Sequence, residues 1–171
     1  MPTLAPLADV QASEAAKKQF QAINSAFGMV PNIFRTMGHA PAVLQATLAM
    51  DAAIHQELDP KLRELAYLKA SQVNECDYCL HYHRGLGKKS GLSDVQVKEI
   101  SGYEQSAAYS PLEKNVLRFA EQWAKQVRVD GKVIKELESQ LTPAQLVTLA
   151  ATVSLAMWTN RFNTVFSVQL P

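Results

Sequence analysis

The sequence lacks both a framework of cysteines and an excess of charge of either sign. Two of its 171 residues are cysteine, too few for the disulfide scaffold of a small secreted protein. Seventeen basic residues stand against sixteen acidic ones, and no block of lysine and arginine occurs. Composition therefore gives no indication of a nucleic-acid or anionic-membrane partner. It is consistent with a small soluble enzyme, and we expect one domain over residues 1–171.

Long apolar runs are absent as well. The most apolar stretch, residues 146–158, is interrupted by Thr148, Thr152 and Ser154 and is too short to cross a bilayer. Residues 1–9 contain no basic region followed by an apolar run, so they do not resemble a signal peptide. We expect a cytoplasmic protein in which residues 146–158 belong to a core or interface helix.

Strand-like alternation of apolar and polar residues is missing too, whereas helical periods recur along the chain. Capping side chains mark four helix starts, at Asp59-Pro60, Ser93 to Gln96, Ser110 to Glu113 and Thr142 to Gln145. We predict an all-α fold with helices at 13–27, 41–57, 60–73, 76–90, 93–101, 111–127, 131–140 and 143–161. The segment 28–32 is expected to break the chain after the first helix, and Gly91 to end the helix 76–90.

Both cysteines lie in one short motif. Cys76 and Cys79 are three residues apart, and His83 follows four residues later. On a helix these three side chains fall within one narrow arc, whereas His81 points to another side. His83 is therefore the histidine that can touch Cys79.

A glutamate earlier in the chain extends this cluster. If the helices flanking residues 74–75 run antiparallel, Glu64 and His83 lie at similar distances from the turn and side by side. A carboxylate fixes the tautomer of an adjacent imidazole and strengthens it as a base, and the imidazole can accept the proton of a thiol. Glu64, His83 and Cys79 thus form a proton relay in outline. Thiol chemistry needs such a relay because the thiolate is the nucleophile and an ordinary cysteine, with a pKa of about 8.5, is mostly protonated at neutral pH.

Other interpretations of the cluster stay open. The Cys-x-x-Cys pair can be two small buried apolar residues. The two thiols, the imidazole and the carboxylate are also suitable metal ligands, although three donors along one helix face wrap a tetrahedral ion poorly. A thioredoxin fold is excluded, because no β-α-β pattern surrounds the motif. The remaining histidines, His39, His55 and His81, are assigned no role.

The cluster fits a longer signature. Glu64, Cys76, Cys79 and His83 match E-x11-C-x2-C-x3-H with every interval met. On these residues, and on residues 28–41 with their Gly28-Met-Val-Pro start, the chain resembles the alkylhydroperoxidase D-like members of the carboxymuconolactone decarboxylase superfamily, in their peroxidase-related branch. The full signature is specific, whereas Cys-x-x-Cys alone is weak.

The resemblance implies an all-helical subunit and a thiol-dependent peroxidase that uses a cysteine pair, with no haem, metal or other cofactor. It assigns Cys79 as the peroxidatic cysteine, Cys76 as the resolving cysteine, and Glu64 and His83 as the proton relay. Position alone offers the reverse assignment, since Cys76 is nearer the helix N-terminus, where the macrodipole favours thiolate. Lipoyl-linked members of the family carry histidine where this chain has Tyr78, which bears on the identity of the reductant.

Partners follow from the same resemblance. The implied substrate is a peroxide, and the implied reductant is a dithiol, such as a lipoyl or thioredoxin-like protein. A homo-trimer or homo-hexamer is expected, with the apolar helix 143–161 or the cysteine-bearing hairpin in the contact. Lactone decarboxylation, after which the superfamily is named, is the alternative activity, but the members that catalyse it lack the cysteine pair.

Overall fold

The computed structural model of the chain describes residues 1–170, and helices account for all the regular structure in that range. Nine α-helices follow one another there: α1 (Glu14–Phe27), α2 (Asn32–Met37), α3 (Pro41–Ile54), α4 (Pro60–Val73), α5 (Asp77–Lys89), α6 (Asp94–Lys98), α7 (Pro111–Gln126), α8 (Gly131–Glu138) and α9 (Pro143–Phe166). Short 3-10 helices lie at Asp9–Gln11 and Ile100–Gly102. The predicted all-α fold is confirmed.

The predicted helix starts are confirmed at all four capping residues. At the start of α4, the Asp59 carboxylate accepts the Lys61 and Leu62 amides at 2.8 and 3.2 Å, and Pro60 occupies the first helical position, where no amide is needed. Reciprocal capping boxes begin α6, α7 and α9. Gly91 has a φ of +97° and follows α5, as predicted.

Several predicted bounds are wrong. The helix predicted at 41–57 ends at Ile54, because the next amides bond to carbonyls three residues back and tighten the last turn. The helix predicted at 93–101 stops at Lys98 and continues as a 3-10 turn. That at 131–140 ends at Glu138, and that at 143–161 continues to Phe166. The segment after Gly28 contains the helix α2, which the sequence analysis missed.

Two compact units divide the chain. The first comprises residues 1–50 together with 162–170. Its core includes Phe20, Ile23, Met37 and Leu44. Its N-terminal segment is held by Arg35, which donates to the Leu7 carbonyl and the Asp9 carboxylate, and by His39, which lies 3.0 Å from the Ala5 carbonyl oxygen. The expectation of a single domain over 1–171 stays a prediction.

The second unit, residues 51–161, contains α4 between α5 and α7, both of which it contacts. Every residue of α4 from Leu62 to Ser71 is buried. Apolar side chains that are almost completely buried fill this unit, including Leu65, Leu68, Val116, Leu117, Leu149 and Val153. A helix buried on all sides must find a partner for each polar side chain that it carries. The charged residues of α4 are therefore the informative ones.

No helix within residues 1–170 combines the length and the apolar character needed to cross a membrane.

Candidate functional site

The turn between α4 and α5 is fixed by backbone and side-chain hydrogen bonds. Glu75 adopts a left-handed conformation with φ +53°, and the Cys76 amide donates to the Ser71 carbonyl at 3.0 Å. The Asn74 side chain donates to Asn160 of α9 at 2.9 Å, and Asn160 donates to the Ser71 hydroxyl at 3.0 Å. These contacts determine where α5 begins and thus where the two cysteines lie.

Cys76 and Cys79 are joined in a disulfide, with their Cα atoms 5.3 Å apart. Cys76 is the N-cap of α5, one residue before the helix, and its Sγ accepts the Cys79 amide at 3.3 Å. The prediction that α5 starts at Cys76 is therefore off by this residue. Cys79 lies in the first turn, and both cysteines are buried.

The predicted proximity of Glu64 and His83 is confirmed. His83 Nδ1 lies 2.9 Å from Glu64 Oε2 across the hairpin. Because an ionised carboxylate only accepts hydrogen bonds, Nδ1 carries the proton, and the neutral ring keeps Nε2 as an acceptor. Arg63 Nη2 lies 3.7 Å from the other oxygen of Glu64. The buried Glu64 carboxylate thus has a cation and an imidazole as neighbours, as a charge at this depth requires.

The structure places His83 on α5 one turn after Cys79, so that the two share a face of the helix. The His83 side chain is 19% exposed, whereas Glu64 is almost completely buried. His81 is exposed, and its ring makes an edge contact with Tyr82. The four signature residues therefore lie together, and the histidine between them stands apart.

Two residues near His83 were missed by the sequence analysis. Tyr67 stacks on the His83 ring, with centroids 3.6 Å apart and planes 12° from parallel. Its position three residues after Glu64 on α4 was a usable signal. Asp51, on α3, lies within electrostatic range of His83 and Glu64. No sequence pattern links α3 to the signature, so Asp51 could not have been found.

The environment of the Asp51 carboxyl disfavours its charged form. Burial raises the pKa of Asp51 above its ordinary value, against the lowering effect of His55, His83 and Arg63. A carboxyl group other than Glu64 that holds its proton more firmly than an ordinary aspartate therefore lies within electrostatic range of the Glu64–His83 pair.

Tyr78, the residue before Cys79, is buried in the first turn of α5. Its ring lies 5.2 Å from that of Tyr82 at an angle of 49°. A phenol ring at this position packs on α5 rather than adding a second imidazole to the site.

Metal ligation is the other chemistry that these residue types allow. Within residues 1–170, no three His, Cys, Asp or Glu side chains are grouped so that they could hold a metal ion.

A groove of about 490 Å³ opens elsewhere, along α7 and α8. Its lining runs from Tyr109 to Glu136 and includes Lys114, Arg118 and Lys132. None of the four signature residues lines it.

An all-helical chain with a cysteine pair at the start of one helix of a hairpin, and a Glu–His pair across it, is the arrangement that the resemblance to alkylhydroperoxidase D-like proteins implies. The pattern of the family described as "Carboxymuconolactone decarboxylase family" matches residues 41–122, just under half of the chain. The predicted resemblance to the carboxymuconolactone decarboxylase superfamily and its alkylhydroperoxidase D-like members is confirmed by this match together with the structural likeness to proteins described in those terms.

Among curated proteins, the chain is 26% identical over 83 residues to the uncharacterized protein YdfG of Bacillus subtilis (strain 168). This match covers 48% of the chain and 56% of that relative. The chain therefore spans a little over half the length of the curated relative that it matches.

Solved structures extend the likeness over nearly the whole fold. An uncharacterized peroxidase-related protein from Ralstonia eutropha JMP134, with an alkylhydroperoxidase AhpD core, has a TM-score of 0.87 at 20% identity, covering 99% of this chain and 92% of that one. A peroxidase-related protein from Silicibacter sp. TM1040 gives 0.81 at 20% identity, with coverage of 99% and 89%. A variant of the debrominase Bmp8 in complex with 2,3,4-tribromopyrrole gives 0.84 at 19% identity, with coverage of 98% and 91%. At these identities the likeness establishes the fold.

Proposed function

We propose that the protein is a thiol-dependent peroxidase that reduces an alkyl hydroperoxide or hydrogen peroxide with the Cys76–Cys79 pair. The observation that supports the proposal most directly is the geometry around α5. A cysteine pair already bonded as a disulfide lies one helical turn from an imidazole whose far edge is held by a buried carboxylate. Perturbed or specifically paired titratable groups beside a nucleophile are typical of catalytic sites.

The proposed reaction begins with the Cys79 thiolate. Its sulfur attacks the outer peroxide oxygen, the O–O bond breaks, and the alkoxide leaves with a proton as an alcohol, so that Cys79 becomes a sulfenic acid. The Cys76 thiol then attacks this sulfur and releases water as the disulfide forms. A dithiol reductant restores both thiols and is itself oxidised to a disulfide. Each cycle consumes one peroxide and one dithiol.

His83 is the proposed carrier of the proton in this cycle. With Nδ1 held by Glu64, the neutral ring presents Nε2, which takes the Cys79 thiol proton and returns it to the leaving oxygen. Glu64 orients the ring and stabilises the imidazolium that forms. Residues on the two helices of one hairpin thus supply the base, its orienting acid and the nucleophile.

The two cysteines compete for the role of nucleophile. Cys76 lies at the N-cap of α5, where the helix dipole stabilises a thiolate. Cys79 shares a helix face with His83, which can remove its proton directly. We assign the attack to Cys79, because a base that accepts the proton can also return it to the alkoxide.

The proposed partners are a dithiol reductant and further copies of the chain. Tyr78 in place of a histidine favours a reductant other than the one used by lipoyl-linked relatives. Val147 and Trp158 on α9 are 70% and 44% exposed, which supports a homo-trimer or homo-hexamer with α9 in the contact. Light scattering that gives the mass of a single chain at micromolar concentration would reject this assembly.

Peroxide-dependent turnover with dithiothreitol or dihydrolipoamide tests the function. Cys79→Ser should abolish peroxide consumption, whereas Cys76→Ser should leave a sulfenic acid on Cys79 that dimedone traps. Dimedone labelling of Cys76 in the Cys79→Ser variant, with peroxide consumption retained, would exchange the two roles. An oxidised wild-type protein with only intermolecular disulfides, or no turnover with either reductant, would reject the proposal.

A further inference from the structure

Tyr67 holds the ring of His83 by a contact that is separate from the hydrogen bond to Glu64. The two rings stack with centroids 3.6 Å apart and planes only 12° from parallel. Tyr67 is buried, so the stack lies inside the hairpin rather than at its surface. One face of the imidazole is thereby covered by a flat ring that cannot move away without opening the core.

The phenol itself is anchored on α9. Thr159 Oγ1 donates to the Leu155 and Ala156 carbonyls at 3.0 Å each, which uses its single hydroxyl hydrogen. The Tyr67 hydroxyl, 2.5 Å from Thr159 Oγ1, is therefore the donor of the bond between them. Burial raises the pKa of Tyr67 above its ordinary value, so the phenol remains a neutral donor across the working range of pH.

A hydrogen bond at one nitrogen leaves an imidazole free to tilt about the axis of that bond. The acceptor lone pair on Nε2 lies in the ring plane, so a tilt moves the direction from which this atom can take a proton. A ring stacked face to face removes the tilt and also blocks the half-turn that would carry Nδ1 away from Glu64. The same π face is compatible with the imidazolium, because a cation over a phenol ring is attracted to it.

From these contacts we infer that Tyr67 is a positioning residue. It sets the plane of the His83 ring and holds Nδ1 against Glu64, which fixes the tautomer, and so it sets the direction in which His83 Nε2 faces the thiol chemistry. The inference rests on the proposed role of His83 but concerns the geometry of the ring. The other charged or titratable groups near the imidazole stay unchanged in the test. They are Glu64 and Arg63 on α4, Asp51 on α3, and His55 directly after α3.

The test uses the full chain in reduced form and two measurements. The tautomer of His83 is read from its ring nitrogens by NMR, and the alkylation of the thiols by iodoacetamide is followed from pH 6 to 9.5. Wild type and Tyr67→Phe, which keeps the stacked ring, should show one Nδ1–H tautomer. Tyr67→Leu should show averaged tautomers and a neutral-pH alkylation rate lower by roughly tenfold, with the gap closing as pH rises.

Tyr103→Leu is the matched control. Tyr103 is another buried tyrosine of the same unit, with its hydroxyl bonded to Glu121, and its loss should leave the His83 tautomer and the alkylation profile unchanged. If Tyr67→Leu does not fold by circular dichroism, Tyr67→Met, which fills more of the volume without a flat ring, should give the same averaged tautomer.

A single Nδ1–H tautomer and a wild-type pH profile in the folded Tyr67 variant would overturn the inference. So would equal changes in Tyr103→Leu, which would mean that any loss of core packing disturbs the ring. The tautomer measurement needs no peroxide. If the wild type does not turn over peroxide, the proposed function fails while the assignment of Tyr67 still stands or falls on the NMR result.

Discussion

Helix α4 carries two buried polar clusters, one toward α5 and one toward α7. The imidazole cluster consists of Glu64, His83 and Tyr67, and the ammonium cluster consists of Lys69, Glu121 and Tyr103. Each combines a carboxylate, a base and a tyrosine ring. They differ in how completely their polar atoms are paired.

In the ammonium cluster the charge is enclosed. Lys69 is 1% exposed, and its ammonium group donates to Gln72 at 2.9 Å, lies 3.3 Å from Glu121 Oε1 and stands over the Tyr103 ring. Tyr103 in turn donates to the second Glu121 oxygen at 2.8 Å. Burial lowers the pKa of Lys69, while the charge of Glu121 works in the opposite direction. Every group has a partner inside the protein, which is the arrangement of a structural cluster.

In the imidazole cluster one polar atom remains available to accept a proton. The hydrogen bond to Glu64 uses Nδ1 of His83, the stack with Tyr67 fixes the ring, and Nε2 makes no hydrogen bond to the described part of the chain. The ring is also partly exposed and lies next to a disulfide. Burial of charge therefore does not by itself identify a functional site. A polar atom that is positioned but not consumed by the fold is the better guide.

The largest effect on stability is expected on the ammonium side. Lys69→Ala removes a buried cation and its methylene stem, leaves Glu121 with Lys125 and Tyr103 as its partners, and should lower the free energy of unfolding by about 3 kcal/mol. Lys69→Met keeps the volume without the charge and should cost less. Urea unfolding measures both. A loss below about 1 kcal/mol in Lys69→Ala would remove the structural role.

Glu64→Gln should distinguish the two clusters by its effect on thiol reactivity rather than on stability. Without the carboxylate, His83 is a weaker and less oriented base, so alkylation of the thiols by iodoacetamide at pH 7 should slow by about 10- to 30-fold. The rates should converge toward the ordinary thiol pKa, where hydroxide supplies the thiolate. Glu121→Gln, the matching change in the ammonium cluster, should alkylate like the wild type. Equal rates in both variants would take Glu64 out of the relay.

The contact between α7 and α4 can be tested through the pH dependence of the stability that Glu113 provides. This carboxylate completes the capping box of α7 and pairs with Lys61 of α4 at 2.6 Å. Burial opposes its ionisation, but hydrogen bonds from Lys61 and the Ser110 amide outweigh it and hold the pKa of Glu113 below 4.5.

The stability that Glu113 provides is present above pH 4.5 and is lost as pH falls through the lower folded-state value. Glu113→Gln should therefore cost about 1 kcal/mol at pH 7, with the deficit shrinking below pH 4.5. Chemical unfolding across this range gives the result. A deficit that is constant with pH would show that the charge is not involved.

Replacing Asp51 should change the free energy of unfolding in the opposite direction, and by the smallest amount. Because its folded pKa is raised, the folded state binds more protons than the unfolded state just above pH 3.8, and stability falls as pH rises through this window. Asp51→Asn should thus raise the free energy of unfolding at pH 7 by less than about 1 kcal/mol and leave it unchanged below pH 3.8. Destabilisation at pH 7 would show that the ionised carboxylate has a favourable partner.

Most of the fold was predictable because capping residues close in sequence mark where its helices start. Asp59 with Pro60, and Ser110 with Glu113, act within one turn, so neighbouring residues suffice to find them. The helix α2 was missed because Pro31, its N-cap, provides no side-chain cap, and Gly28 before it suggested a break. The 3-10 ending of α3 depends on packing and has no comparable local mark.

The residues of the candidate site differ in the same way: local sequence predicts some of them and not others. Glu64 and His83 could be paired from the sequence because one short turn joins the helices that carry them. Tyr67 lies on the face of α4 that Glu64 defines, yet its stacking depends on the rotamer of His83. Asp51 and Thr159 come from α3 and α9, helices whose approach to α4 no local pattern records.

The hydrogen-bonded turn after α4 limits how the length of this segment can change during evolution. The eleven residues between Glu64 and Cys76 are nine of α4, residues 65–73, and two of the turn, residues 74–75. An inserted residue in α4 would rotate Glu64 by about 100° relative to the turn, and one in the turn would break the bond from Cys76 to Ser71. An insertion or deletion between Glu64 and Cys76 should therefore disrupt the site, whereas substitutions that preserve the contacts of these eleven residues should not. Homologues that keep the chemistry are expected to keep this interval at its present length.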